Sequence, residues 1–142
     1  MPVLPKFYNK MHKNFLIIAA YLGALSVALG AFGAHALKGA ISPDAFTIFE
    51  TAVRYQFYHV FALLGAGILY GNFPNKFISV AGKLFITGII LFCGSLYALV
   101  FIKNAGNTNL YWVGAVTPLG GLGFIAGWVC IAIGIKPSST NL

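Results

Sequence analysis

The chain has 142 residues, 59% of them hydrophobic and only 8% charged, against about 25% charged in an ordinary soluble domain. So few charges cannot cover the surface of a water-soluble fold of this size, and the composition suits a chain whose solvent is lipid. The net charge of +7 would suit nucleic acid if it were grouped on one face. Instead most basic residues stand at the ends of apolar runs, as membrane topology requires, so no nucleic-acid partner is expected.

Residues 1–14 are polar and basic, with Lys6, Lys10, His12 and Lys13. Phe15 to Ala34 then runs for 20 residues without a charge. A signal-peptide core is about 7–15 residues, so this run predicts an uncleaved first membrane helix over about 14–36. Within it Ser26, Gly30 and Ala34 recur every four residues, on one helix face. Small residues there let a neighbouring helix approach closely in lipid.

A link from Leu37 to Ser42 follows. Ser42 suits a helix cap, Pro43 the first helical position and Asp44 the positive helix end. Beyond it Ala45, Phe46, Phe49, Ala52 and Val53 share one side, and Asp44, Thr47, Glu50, Thr51 and Arg54 the other. That is an amphipathic helical pattern. A helix over 43–71 would be about 43 Å long, against about 30 Å of hydrocarbon. The membrane part is therefore expected at about 53–71, with an amphipathic segment before it at the membrane surface or on the outer end of the bundle.

Gly71 to Lys76 contains Asn72, Pro74 and Asn75 and reads as a tight turn. The uncharged run Leu84–Ile102 lies between Lys83 and Lys103, giving a third helix over about 77–102. A polar turn leads to Tyr111–Ile135 and a fourth helix over about 111–135. Its Thr117-Pro118-Leu119-Gly120-Gly121 segment predicts a kink or local unwinding. Gly123 and Gly127 extend a small-residue side with Gly120 and Gly134. Cys93 and Cys130 lie inside apolar runs and read as small core residues, not as a disulfide.

The fold expected over 1–142 is one all-α domain, an integral membrane bundle of four transmembrane helices. With the N-terminus inside, six basic residues (Lys6, Lys10, Lys13, Lys76, Lys83, Lys136) are cytoplasmic and three (Lys38, Arg54, Lys103) are outside. This favours two cytoplasmic termini. Tyr111 and Trp112 would anchor the outer interface and Tyr70 the inner one.

The residues able to carry chemistry gather between Gly30 and His59. Glu50 and Arg54, four apart, are expected to pair across one helix face. His35 and His59 could in principle hold a haem between two helices, but their expected depths differ by roughly 10 Å, so no cofactor and no metal site is expected. The candidate polar network is His35, Glu50, Arg54, Tyr55, Tyr58 and His59. No carboxylate lies deep in an apolar run, and no catalytic triad, zinc motif or phosphate loop is present; an enzyme is not expected.

Three segments appear together and in order: Gly30-Ala-Phe-Gly-Ala-His-Ala-Leu-Lys38, Arg54-Tyr-Gln-Phe-Tyr-His59, and Thr117-Pro-Leu-Gly-Gly121 followed by Gly127-Trp128. In these the chain resembles the family called domain of unknown function 423, related to eukaryotic transmembrane protein 256, over roughly Leu16 to Gly134. The resemblance implies a small multi-pass protein, in bacteria one of the inner membrane, with no established activity. The expected role is a structural or accessory component of a membrane assembly, in contact with lipid and with a homo-oligomer or larger complex as candidate partner. The alternative is a small transporter or channel component with a site near the outer ends of helices 1 and 2.

Overall fold

The computed structural model describes residues 11–106 and 108–136, without the side chains of Thr108 and Tyr111. The expectations placed on Lys6, Lys10 and the Tyr111 side chain lie outside the described residues.

The described residues form four helical rods. Helix α1 (Lys13–Phe32) runs on into a π-helical turn, Gly33–Leu37. Helix α2 spans Pro43–Asn72. Helices α3 (Lys76–Gly88) and α4 (Gly94–Asn104) are joined through a second π turn, Ile89–Cys93, into one rod. A 3-10 helix, Thr108–Val116, leads into α5 (Thr117–Gly134). Among the described residues the only bridge of extended backbone joins Lys38 to Ile41.

The helix starts follow from local chemistry. The Ser42 hydroxyl accepts from the Ala45 amide at 3.3 Å, with Pro43 and Asp44 in the first turn of α2. Asn75 accepts from the amides of Phe77 and Ile78, and its own amide donates to the Gly134 carbonyl at 2.8 Å. One side chain therefore caps α3 and ties it to the end of α5. The turn between α1 and α2 uses Gly39 at φ +97°, a left-handed conformation that costs glycine nothing.

The rods form two antiparallel pairs. Along α1 and α2, Leu16 lies on Gly67, Gly23 on Val60, Gly30 on Val53 and Gly33 on Phe49. Steps of seven, seven and three residues up α1 are matched by steps of seven, seven and four down α2. The α3–α4 rod meets α5 in the same way: Ile78 on Gly134, Phe85 on Gly127, Gly88 on Phe124 and Phe92 on Gly120. Glycine makes this approach possible, since a Cβ on Gly120 would stand 2.8 Å from the Phe92 Cα.

Helix α2 is the central rod, packing on α1, α3 and α4. Its buried stripe runs Ala45, Phe49, Ala52, Gln56, His59, Leu63 and Ala66, while Asp44, Thr47, Glu50 and Arg54 are exposed. Ala52, Leu63 and Ala66 of this stripe build the main core together with Phe15, Phe85, Ile89, Cys93 and Phe124. A smaller core of Leu37, Ala45, Phe49 and Val100 closes the α1–α2 end.

Among the described residues, three stretches are long and apolar enough to cross a membrane: Lys13–Leu37, Lys76–Asn104 and Trp112–Gly134. By length and composition α2 is not among them, because it carries Asp44, Glu50, Arg54, Gln56 and His59. The fourth helix also differs from expectation. The chain from Thr108 to Val116 is 3-10, and Pro118 sits in the first turn of α5 instead of kinking its middle. Proline lacks the amide that an interior position must donate, and at a helix start that amide is not needed.

Candidate functional site

Two groups of polar side chains are built by this packing, one inside the bundle and one at its α1–α2 end.

The inner group centres on Gln56, which is 2% exposed. Its Nε2 donates to Ser26 Oγ at 2.9 Å and to the Leu22 carbonyl at 3.3 Å. Ser26 Oγ also donates to the Leu22 carbonyl at 2.8 Å. On the other side, Tyr97 donates its hydroxyl to Gln56 Oε1 at 3.0 Å. Three rods are thus joined through one amide whose two donor hydrogens and acceptor oxygen are all used. A satisfied network of this kind holds helices in register, because each partner would be costly to leave alone in an apolar interior. Ser95 and Thr117 make a second link, hydroxyl to hydroxyl at 2.7 Å, between α4 and the start of α5.

His59 lies one turn from Gln56. Its Nδ1 is 2.8 Å from the Tyr55 carbonyl. A carbonyl only accepts, so Nδ1 carries the hydrogen. The ring stacks on Phe124 with centroids 3.4 Å apart and meets Trp128 in a T-shaped contact with centroids 6.4 Å apart. These contacts dock α2 onto α5.

At the α1–α2 end a cleft of about 270 Å³ opens between the π turn and the first half of α2. Phe46, Phe49 and Val53 form its apolar wall, and Gly30, Gly33 and Ala34 its floor. Lys38, Glu50 and Arg54 reach its rim, and all three are exposed. No ion pair within 4.0 Å forms among the described residues. The expected Glu50–Arg54 pair is therefore not made. An exposed pair of this spacing contributes only a few tenths of a kcal/mol, too little to hold two long side chains together against their rotamer freedom. The cleft owes its shape to the π turn, in which Lys38 donates its amide to the Gly33 carbonyl at 3.0 Å. Such turns are frequent at functional sites.

The candidate network drawn from the sequence is thus divided. Glu50 and Arg54 line the cleft, and His35 is exposed on the π turn beside it. His59 is buried in the core, and Tyr55 packs on Phe92 at 4.7 Å. Tyr58 is 56% exposed and lines a separate apolar groove with Phe61, Gly65 and Trp128. Since Gly23 lies on Val60, His35 is twelve residues up α1 from the level of His59, about 18 Å away. The two histidines do not meet.

Of the small residues, Ser26, Gly120 and Gly127 are buried, while Ala34 is exposed. Ser26 is in the inner network, while Gly30 and Ala34 line the cleft. Gly121 and Gly123 lie near Phe92 and Gly88, alongside the buried Gly120 and Gly127, and Pro118 is exposed. Gln56 and Tyr97 were not singled out by sequence reasoning. The available signal was a lone glutamine on the stripe Phe49, Ala52, Val60, Leu63, facing a serine on the small-residue stripe of α1. Cys93 and Cys130 are both free thiols.

Comparison with known proteins bears on this arrangement. The family model described as "Protein of unknown function (DUF423)" matches residues 29–121, a range holding both the cleft and Gln56. A UPF0382 membrane protein of Staphylococcus haemolyticus is 40% identical over 121 residues, covering 85% of this chain and 93% of that protein. The UPF0382 membrane protein YwdK of Bacillus subtilis is 38% identical, covering 85% of this chain and 94% of its own length. One from Haemophilus influenzae is 38% identical, covering 87% and 94%. No solved structure matches.

Proposed function

The chain belongs to the DUF423 family of membrane proteins of unknown function, and from that premise we propose that it is a non-enzymatic accessory component of a bacterial cytoplasmic membrane, crossing the bilayer four times with both termini in the cytoplasm. The observation that carries the accessory reading is the closure of the interior. The hydrogen-bonding groups of Gln56 are spent on Ser26, Leu22 and Tyr97, while large apolar side chains such as Leu119, Leu122, Ile125, Val129 and Ile133 point outward from α5. A protein made this way meets other molecules through its outside.

The α1–α2 register supports a fourth crossing. Contacts between the two helices run from Leu16–Gly67 to Gly33–Phe49, so if α1 crosses the bilayer, residues 49–67 of α2 cross beside it. Burial among its neighbours relieves α2 of the need to be apolar all round, since Gln56 and His59 find partners there. The distribution of basic residues supports the orientation.

Purification in mild detergent under native expression tests the accessory role. Recovery with a stoichiometric partner, or as a defined homo-oligomer, is expected; a strictly monomeric protein with no partner would overturn it. The transporter alternative keeps one supporting feature, the cleft beside Arg54. It loses another, since the Pro118 segment begins α5 and Gly120 packs on Phe92 instead of opening a broken helix.

A further inference from the structure

We propose that the cleft between the π turn and α2 is a phospholipid headgroup site, taking the phosphodiester of an anionic lipid between Lys38 and Arg54. The proposal rests on the reading that α1 and α2 cross the bilayer side by side.

Three observations carry it. Lys38, Glu50 and Arg54 share one cavity, yet none makes an ion pair among the described residues. Two cations against one carboxylate leave a single unmatched positive charge, which complements the single negative charge of a phosphodiester. The bidentate geometry of arginine and the mobile point charge of lysine are both common phosphate binders.

Depth is the second observation. Arg54 follows Val53, which lies on Gly30, seven residues before the end of the apolar span at Leu37. That is about 10 Å from the span's end, a level from which an extended arginine reaches the headgroup boundary. Lys38 lies just past the same end. The two cations therefore approach one level from opposite sides, as a lipid phosphate at the interface would require.

The third is the wall. Phe46, Phe49 and Val53 continue the cleft as apolar surface, against which the glycerol and upper acyl chain can lie. Glu50 would repel a bare anion, but it can accept hydrogen bonds from a headgroup that ends in donors. These features select a phosphodiester lipid with terminal hydroxyls, for which phosphatidylglycerol is the probe, over phosphatidylcholine, whose headgroup offers no donor.

Native mass spectrometry of the full chain in detergent, titrated with each lipid, tests this. One phosphatidylglycerol should be retained at least about tenfold more tightly than phosphatidylcholine. Arg54→Gln and Lys38→Gln should each abolish that preference, Arg54→Lys should restore part of it, and Lys103→Gln should leave it unchanged. Thermal unfolding measured without added lipid should be the same in all variants, since the side chains of Lys38 and Arg54 are not part of either core. Equal retention of the two lipids, or an equal loss from Lys103→Gln, would overturn the proposal. So would binding of inorganic phosphate where phosphatidylglycerol fails to bind. The measurement is made on solubilised protein, so its failure would leave the accessory role and the topology standing, and their failure would leave its result readable.

Discussion

Tyr97 donates its hydroxyl to Gln56 Oε1 across 3.0 Å, and that bond joins the third rod to the α1–α2 pair. The same amide reaches back to Ser26 and Leu22 on α1, so two side chains set the relative height of three helices. Interhelical hydrogen bonds in membranes average about 0.6 kcal/mol, with a maximum near 1.7. A double-mutant cycle with Gln56→Leu and Tyr97→Phe should therefore return a coupling of about 0.6–1.7 kcal/mol, read from unfolding in detergent. Gln56→Leu alone should cost more than the double variant relative to its size change, because it leaves the Tyr97 hydroxyl buried without an acceptor. Strict additivity would mean that the two groups act independently.

The contact of Gly120 with the Phe92 backbone predicts that Gly120→Ala destabilises the fold. A Cβ there would come within 2.8 Å of the Phe92 Cα, and backbone cannot swing aside as a side chain tip can. Overpacking of this kind costs about 1–3 kcal/mol. Gly94→Ala is the control: nothing lies within 4 Å of its Cβ position, and alanine gains up to about 1 kcal/mol of helix propensity. Thermal unfolding of the two variants should move in opposite directions.

His59 holds α2 against α5 through its stack on Phe124. His59→Phe should keep that contact and lose little stability, whereas His59→Ala should leave a cavity costing about 3 kcal/mol. Because Nδ1 faces the Tyr55 carbonyl, nitrogen NMR of the labelled protein should find the neutral ring protonated on Nδ1. A ring protonated on Nε2 alone would contradict the geometry.

Asn75 does two jobs, capping α3 and bonding to the end of α5. Asn75→Asp keeps an acceptor for the cap and removes the donor to Gly134; Asn75→Ala removes both. Loss of the cap alone is worth about 1 kcal/mol, so the alanine variant should be the less stable of the two in a detergent melt.

How far the sequence reaches can be judged residue by residue. The cap at Ser42-Pro43-Asp44 was legible because capping is local chemistry. The two-sided pattern from Asp44 to Arg54 was legible because helical period assigns faces without knowing the partner, and Ala45, Phe49 and Ala52 are indeed buried. The limits appear where three dimensions decide. A glutamine on an apolar stripe looks like an interruption until Ser26 and Tyr97 arrive from other helices. Glu50 and Arg54 have the spacing of an ion pair, but spacing does not fix rotamers on an exposed face. Pro118 inside an apolar run looks like a kink, and only the 3-10 approach from Thr108 to Val116 reveals a helix start.

The central claim is that α2 crosses the membrane in step with α1, carrying the cleft to the outer face. Single cysteines at Ala40→Cys, Phe73→Cys and Ala105→Cys, in a Cys93→Ala, Cys130→Ala background, test it by labelling with an impermeant maleimide in intact cells. Four crossings with cytoplasmic termini predict labelling at positions 40 and 105 and protection at 73 until the membrane is permeabilised. Labelling at 40 and 73 alike from one side would mean that α2 does not cross, and would contradict the account.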